Sequence, residues 1–468
     1  MVKRIVPALV SFLIVACGDD KECKLDDPES CSDNLVCEKV RGQEQAMCFA
    51  PMQVEGKVFD LASGAAVANA EVTALDANGA PVSGVAVSGT DGRYSLRIPT
   101  ERSDDKGTPV PARLTLRAGA RNYQPFPSGL RVALPIDTAA AASSGEEEPW
   151  VFASAQTDVG LIGLPTTEQG RPAVSGTVEL ATGRSALVVV EGNGRAYSAV
   201  ADTSGKWKVF NVEPGGGYRA QAYVKGSNYT AADFAVQSGA ETTGVAIRRA
   251  GDSNATLSGS VQLVAGANGA GTSVVMVVES TFNEALIRGE VPPGLRSPEP
   301  GIAPTVTGAF SITGVPDGKY VVLAAFENDG NVRDPDPNIS GTQISRLTVA
   351  NGTPSLSPAF KVTGAIQMVG PGAGEASEAV TGTPKFSWKP YSSAKSYELR
   401  VFDSQGTKVW ENLTVSPDLR NSAGDVELPY GGPALTPGLI YQWRATAKGN
   451  AGNPISNTEE LRGLFSVQ

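Results

Sequence analysis

The chain has 468 residues, with 39 Lys and Arg against 49 Asp and Glu, a net charge of −10, and no histidine. An acidic chain without a Lys/Arg cluster argues against nucleic acid or an anionic lipid surface as partner. Lack of imidazole excludes a Ser-His-Asp triad, a Cys-His dyad, His-ligated zinc and a side chain that titrates unperturbed near neutrality, while paired carboxylates could still hydrolyse glycosides.

The chain opens with Met1-Val2-Lys3-Arg4, a basic start, followed by an apolar run over residues 5–15 broken only by Pro7 and Ser11. Eleven residues are too few for a spanning helix, which needs about 20. A short apolar run behind a basic start is the pattern of a secretory signal. Leu13-Ile14-Val15-Ala16-Cys17 resembles the lipobox of bacterial lipoproteins. The resemblance implies cleavage after residue 16 and a diacylglycerol on the Cys17 sulfur. Several acyl chains anchor firmly, since each buried CH₂ contributes about 0.8 kcal/mol. Gly18, not Asp, follows the cysteine, and the resemblance then favours the outer membrane. Removing residues 1–16 leaves 37 basic and 49 acidic residues, a net of −12.

Cys23, Cys31, Cys37 and Cys48 crowd residues 17–50. In an exported chain an even set of four predicts two disulfides, with three connectivities open. Their spacing, without C-x-x-C, does not suit a metal. So small and polar a segment needs the bridges for stability.

From residue 53 the sequence turns to short strands. Gly 53 and Pro 32 are high and aromatics only 6%, a composition of strands and turns across three to five domains. One pattern recurs. Val54-Glu55-Gly56-Lys57-Val58 precedes Thr90-Asp91-Gly92-Arg93-Tyr94. Val174-Ser175-Gly176-Thr177-Val178 precedes Thr203-Ser204-Gly205-Lys206-Trp207. Leu257-Ser258-Gly259-Ser260-Val261 precedes Thr307-Gly308-Ala309-Phe310. The second and third copies continue into a Pro/Gly turn and a tyrosine, Pro214 to Tyr218 and Pro316 to Tyr320. The openings lie 120 and 83 residues apart, so these are separate domains and not a fixed-period solenoid. The pattern resembles the carboxypeptidase regulatory-like, transthyretin-like β-sandwich, a module without peptidase activity. The expected units are 53–137, 173–250 and 256–365. Residues 138–172 and 366–383, rich in small residues, are expected as linkers.

Residues 384–468 carry Phe386-Ser387-Trp388, Tyr397-Glu398-Leu399-Arg400-Val401 and Tyr441-Gln442-Trp443-Arg444-Ala445. They resemble a fibronectin type III-like sandwich, with Trp388 and Trp443 as core anchors from its two sheets. The fold class expected is therefore all-β: tandem immunoglobulin- or transthyretin-like sandwiches after a disulfide-rich N-terminal segment.

Two further features invite a site. Asp329, Asn331, Asp334 and Asp336 present alternating oxygens around Gly330 and could chelate Ca²⁺, although Asp, Asn and Gly also suit a solvated turn. Trp207 reads as a core residue, and Trp150 sits at a linker edge. The functional expectation is a non-enzymatic, membrane-anchored surface lipoprotein. Its sandwiches would form a spacer or binding rod for a protein, a carbohydrate or an envelope complex. The alternative is a divergent carboxylate-dependent envelope hydrolase.

Overall fold

The computed structural model describes residues 22–25, 27, 30–32, 34–128, 131–145, 148–181, 184–264, 271–284, 287–324, 328–374, 376–404 and 406–468. The lipobox and Cys17 lie outside these residues. Among the described residues the elements are strands and two short 3₁₀ turns, with no α-helix, and no helix is long and apolar enough to cross a membrane.

A three-stranded sheet, Glu22–Cys23, Val36–Lys39 and Ala46–Phe49, forms a collar at the N-terminus. Four two-sheet sandwiches follow. The first three repeat one scheme that explains the recurring motif. In each, the opening strand pairs antiparallel with the strand after the turn at Gly92, Gly205 or Gly308 and parallel with the closing strand. Met52–Asp60 pairs with Arg93–Ile98 and, in parallel, with Trp150–Ala153 and Val159–Leu161. Val174–Val178 pairs with Lys206–Val209 and with Thr242–Asp252. Thr256–Leu263 pairs with Ala309–Thr313 and with Ala359–Gly364.

The motif glycines mark where the parallel neighbour crosses close to the opening strand. A Cβ on Gly56 would stand 2.1 Å from the Thr157 carbonyl oxygen, and one on Gly176 1.9 Å from that of Val245. One on Gly259 would meet Phe310 Cζ at 2.4 Å and the Pro358 carbonyl oxygen at 2.5 Å. Only a residue without a side chain fits such an approach. The turn is equivalent too: Val58, Val178 and Val261 donate their N–H to the carbonyls of Gly92, Gly205 and Gly308, each at 2.8 Å. In the second and third units the turn tyrosine closes its own corner. Tyr218 Oη donates to the Glu213 carbonyl (2.6 Å) and Tyr320 Oη to that of Pro316 (2.8 Å).

Both expected linkers carry strands. Within 138–172, Trp150–Ala153 and Val159–Leu161 complete the first sandwich, with Phe152, Val159 and Leu161 in its core. Within 366–383, Met368–Gly370 pairs with Lys385–Trp388, and Glu378–Val380 pairs in parallel with Leu464–Val467. Composition misleads here because a strand is stabilised by its ladder as well as its side chains. In the last sandwich Trp388 and Trp443 come from opposite sheets, are fully buried, and lie 5.8 Å apart between ring centroids. Trp443 Nε1 donates to the Pro371 carbonyl at 2.7 Å.

The sandwiches do not form an extended row. Val275, Val277, Val321 and Leu323 of the third pack on Ala80 of the first. Val132 and Leu134 of the first pack on Phe402 and Leu464 of the fourth. Leu187, Val189 and Tyr223 of the second join the core of the third. The four units enclose a shared space.

Candidate functional site

That space is a cavity of about 1260 Å³, lined by all four sandwiches. Polar ties hold its walls. At one corner three sandwiches meet: Arg117 of the first donates to the Ser198 carbonyl and hydroxyl of the second, both at 2.8 Å. Ser198 in turn donates to Glu290 Oε1 of the third at 2.7 Å. Asn211 of the second donates to the Ala120 and Tyr123 carbonyls of the first and accepts from Asn122 N–H. Arg288 of the third meets Glu460 of the fourth at 2.8 Å. These bonds cross between elements far apart in sequence, so they fix the closed arrangement.

The cavity is mixed in character, as ligand sites commonly are. Tyr123, Tyr197, Phe210 and Phe402 give aromatic surface, and ten Arg and Lys face six Asp and Glu. Glu168, Glu290, Glu411 and Glu460 are each ion-paired, and Asp76 Oδ1 accepts backbone N–H groups of its own turn. Burial alone would push the Glu460 carboxyl up, but Arg288 and Arg444 outweigh it and hold it below the usual range. Glu71 differs. Burial dominates over the pull of Lys208 and Arg117, and its carboxyl is pushed up to about 7. The Arg444 guanidinium is brought down to about 10, first by burial and then by Arg288 beside it, against the pull of Glu460.

Sequence reasoning did not reach this cavity, because its lining is scattered over four domains. A signal was nevertheless present. Val274–Val278, the apolar run of Ala186–Gly192 and that of Gly318–Ala324 are buried on both faces. Such continuous runs mean a sheet covered from both sides.

The sequence-predicted residues are placed as follows. The four collar cysteines form two bridges, Cys23–Cys37 and Cys31–Cys48. The sulfurs of Cys23, Cys31 and Cys48 lie within 4.8 Å of one another, but as disulfides they offer no thiolate to a metal. The acidic loop does not gather around one point. Asn331 and Asp334 lie on opposite faces of an extended segment that continues the strand Asn331–Arg333, by the alternation of strand side chains. Asn331 Nδ2 donates to the Gly271 carbonyl at 2.9 Å. Asp329, Asp334 and Asp336 each accept a backbone N–H two residues on, at 2.8, 2.9 and 2.9 Å. Their carboxylates form no mutual cluster within 4.8 Å among the described residues. These are the bonds that Asp and Asn make with their own turn backbone, and Asn331 and Asp334 are buried. Trp207 is buried in the second core, and Trp150 packs half-buried on the first.

Residues 376–462 match the family model of the Rha78A-like N-terminal immunoglobulin domain. This stretch is immunoglobulin-like. No curated protein matches the chain. Among solved structures, the Bacillus anthracis TIE protein is similar at 13% identity over 85% of this chain and 65% of that one, with a TM-score of 0.15. A tetra-tandem repeat from the extending region of a large adhesion protein is similar at 16% identity, over 90% of this chain and 100% of that one, with a TM-score of 0.15. A DUF3823 family protein from Bacteroides ovatus is similar at 12% identity, over 46% of this chain and all of that one, with a TM-score of 0.20. Such scores lie far below those of a shared overall arrangement. The described chain is a tandem array of β-sandwiches, the last of them immunoglobulin-like, behind a disulfide-bonded collar.

Proposed function

We propose that this is a non-catalytic, lipid-anchored protein of the bacterial cell envelope, and that its four sandwiches hold a ligand-binding cavity between them. The closure of all four units around one space carries the reading. A spacer alone needs only end-to-end contacts, whereas side-by-side packing with cross-domain bonds builds a container. The lipobox motif ending at Cys17 supports the anchor, and the preceding signal supports export. The outer membrane is the proposed location. The cross-domain packing supports a compact platform above the collar as the form of this structural array. Against the hydrolase alternative, four of the six lining carboxylates are tied to cations, and Glu241, one of the two carboxylates near the elevated Glu71, is itself held by Lys208 and Ser175.

Two measurements test this. Labelling cells with a radioactive lipid precursor should mark the wild-type chain and leave Cys17→Ser unmarked; incorporation into the variant contradicts the anchor. For the cavity, mature protein should bind purified envelope polysaccharide, and Thr446→Trp, which fills the space from the fourth sandwich, should abolish binding without lowering the melting temperature. Undiminished binding by that variant would place the ligand elsewhere.

A further inference from the structure

The wall contributed by the fourth sandwich and the adjoining loop of the third has an unusual charge arrangement. Arg288, Arg400, Lys408 and Arg444 face the cavity with Glu411 and Glu460 between them, while Glu290 of the same loop is held by Arg117 of the first sandwich. Glu411 and Glu460 are each shared by two cations. Glu460 meets Arg288 at 2.8 Å and Arg444 at 3.7 Å, and Glu411 meets Lys408 at 2.5 Å and Arg400 at 3.3 Å. From behind the wall Glu398 meets Arg400 at 2.9 Å, but it also meets Lys448 at 3.1 Å, so it does not cancel the excess.

The same bias holds for the whole lining. Its ten cations and six acids stand in a chain that is itself acidic by ten charges. Two other lining cations, Arg195 and Lys208, are met from outside by Glu213 and Glu241, which concentrates the surplus on the wall of the fourth sandwich. Arg444 there is only 20% exposed in its side chain. Its guanidinium makes long polar contacts, 3.2 and 3.3 Å to Gln442 Oε1 and 3.3 Å to the Glu460 carbonyl. Partly desolvated guanidinium groups that share their counter-charges favour an arriving anion, and their planar fork matches a carboxylate in two-point contact. The first and second sandwiches contribute Tyr123, Tyr197 and Phe210 to the lining, flat surfaces against which a sugar ring can lie. The volume exceeds the 300–1,000 Å³ typical of a small-molecule site, which suits an oligomer better than a single small metabolite.

We infer that the cavity binds an acidic oligosaccharide, its carboxylates held by Arg288, Arg400 and Arg444 and its rings by the aromatic side chains of the first and second sandwiches. This rests on the ligand-binding reading above and adds the ligand's chemical class.

The experiment is isothermal titration of the mature full-length chain with three probes: a galacturonic acid oligomer, the neutral galactose oligomer of equal length, and inorganic phosphate. The acidic oligomer should bind at least about tenfold more tightly than the neutral one, and more weakly as salt rises. Phosphate should compete only at much higher concentration; if it binds as tightly as the oligomer, the site takes a free anion and the saccharide assignment falls. Arg400→Gln and Arg444→Gln should each weaken the acidic oligomer about tenfold or more, while Arg219→Gln, outside the lining, leaves it unchanged. Equal binding of both oligomers, lost on filling the cavity with Thr446→Trp, would keep the binding cavity and overturn the acidic class. No binding of any probe by folded protein would overturn both.

Discussion

Arg102 and Glu38 form a buried ion pair, Nη2 to Oε2 at 2.6 Å, in which the arginine side chain has no exposed surface. One partner belongs to the first sandwich and the other to the disulfide collar. Arg102 further donates to the Gly107 carbonyl (2.6 Å) and the Ala50 carbonyl (2.8 Å), and its guanidinium lies 5.2 Å from the Phe49 ring centroid. Backbone bonds flank the pair: Arg102 N–H donates to the Lys39 carbonyl, and Arg41 N–H to that of Arg102. The collar is therefore a docked part of the platform and not a loose tether. Two bridges alone would have made it compact; this arginine fixes its direction.

Burial pushes the Glu38 carboxyl up despite the pull of Arg102, so the pair stands only because both members are present. Arg102→Met would leave a buried carboxylate without its counter-charge, a change that typically costs about 3–5 kcal/mol. Adding Glu38→Gln should recover much of that loss. Urea denaturation of the two variants checks this, and a loss under about 1 kcal/mol for Arg102→Met would mean the collar is held by something else.

The motif glycines give a sharper contrast. Gly176→Ala places its methyl 1.9 Å from the Val245 carbonyl oxygen and 2.8 Å from Trp207 Cζ2. A ladder oxygen cannot swing away, so the opening and closing strands must separate, and a loss at the upper end of the about 1–3 kcal/mol typical of overpacking is expected. Gly308→Ala is the control. No atom lies within 4 Å of its added methyl and its φ is not positive. It should be neutral or slightly stabilising, by up to about 1 kcal/mol. Equal losses in melting experiments would show that the close approach is not what the first glycine serves.

How much of this could be read from the chain depends on range. Strand identity, the four sandwiches, the tryptophan anchors and the collar cysteines follow from local alternation, turn chemistry and cysteine count. The strands Trp150–Ala153 and Glu378–Val380 are hidden in the sequence, because parallel pairing brings together residues such as Trp150 and Met52, or Glu378 and Phe465, far apart in sequence and marked by no turn between them. The acidic loop shows the same limit: spacing puts four oxygens in one stretch, while strand alternation places Asn331 and Asp334 on opposite faces of it. The domain packing was half legible. Val275 and Val277 alternate with core residues Val274, Met276 and Val278 in one unbroken apolar run, a pattern that asks for a second covering surface without naming it.

That surface yields a test of the closed arrangement. Val277 is 1% exposed and packs in the seam with Ala80 of the first sandwich, not in the core of the third. Val277→Asp puts an unpaired carboxylate in that seam, which is costly when closed and relieved when the sandwiches part. Small-angle scattering should show a larger radius of gyration, with far-ultraviolet circular dichroism unchanged. An unaltered radius in folded protein would mean that this seam does not govern the packing.

Glu71 connects the cavity to pH. Its two attracting cations are engaged elsewhere, Lys208 with Glu241 at 2.9 Å and Arg117 with Glu290 at 3.3 Å, and Asp202 and Glu241 add repulsion. Burial therefore prevails and the carboxyl is pushed from an ordinary 4.5 to about 7. A folded-state pKa above the unfolded one means the native chain holds the proton more tightly. The associated stability is fully present below about pH 4.5 and is lost as pH rises through 7. A shift of this size corresponds to about 3 kcal/mol at most, less whatever water in the cavity screens. Glu71→Gln copies the protonated form at every pH. The variant and wild type should therefore be equally stable at pH 4, and the variant should be the more stable at pH 8. Urea midpoints at the two pH values decide it: a difference that does not change with pH would show that Glu71 titrates normally, and that this wall of the cavity is wetter than its packing indicates.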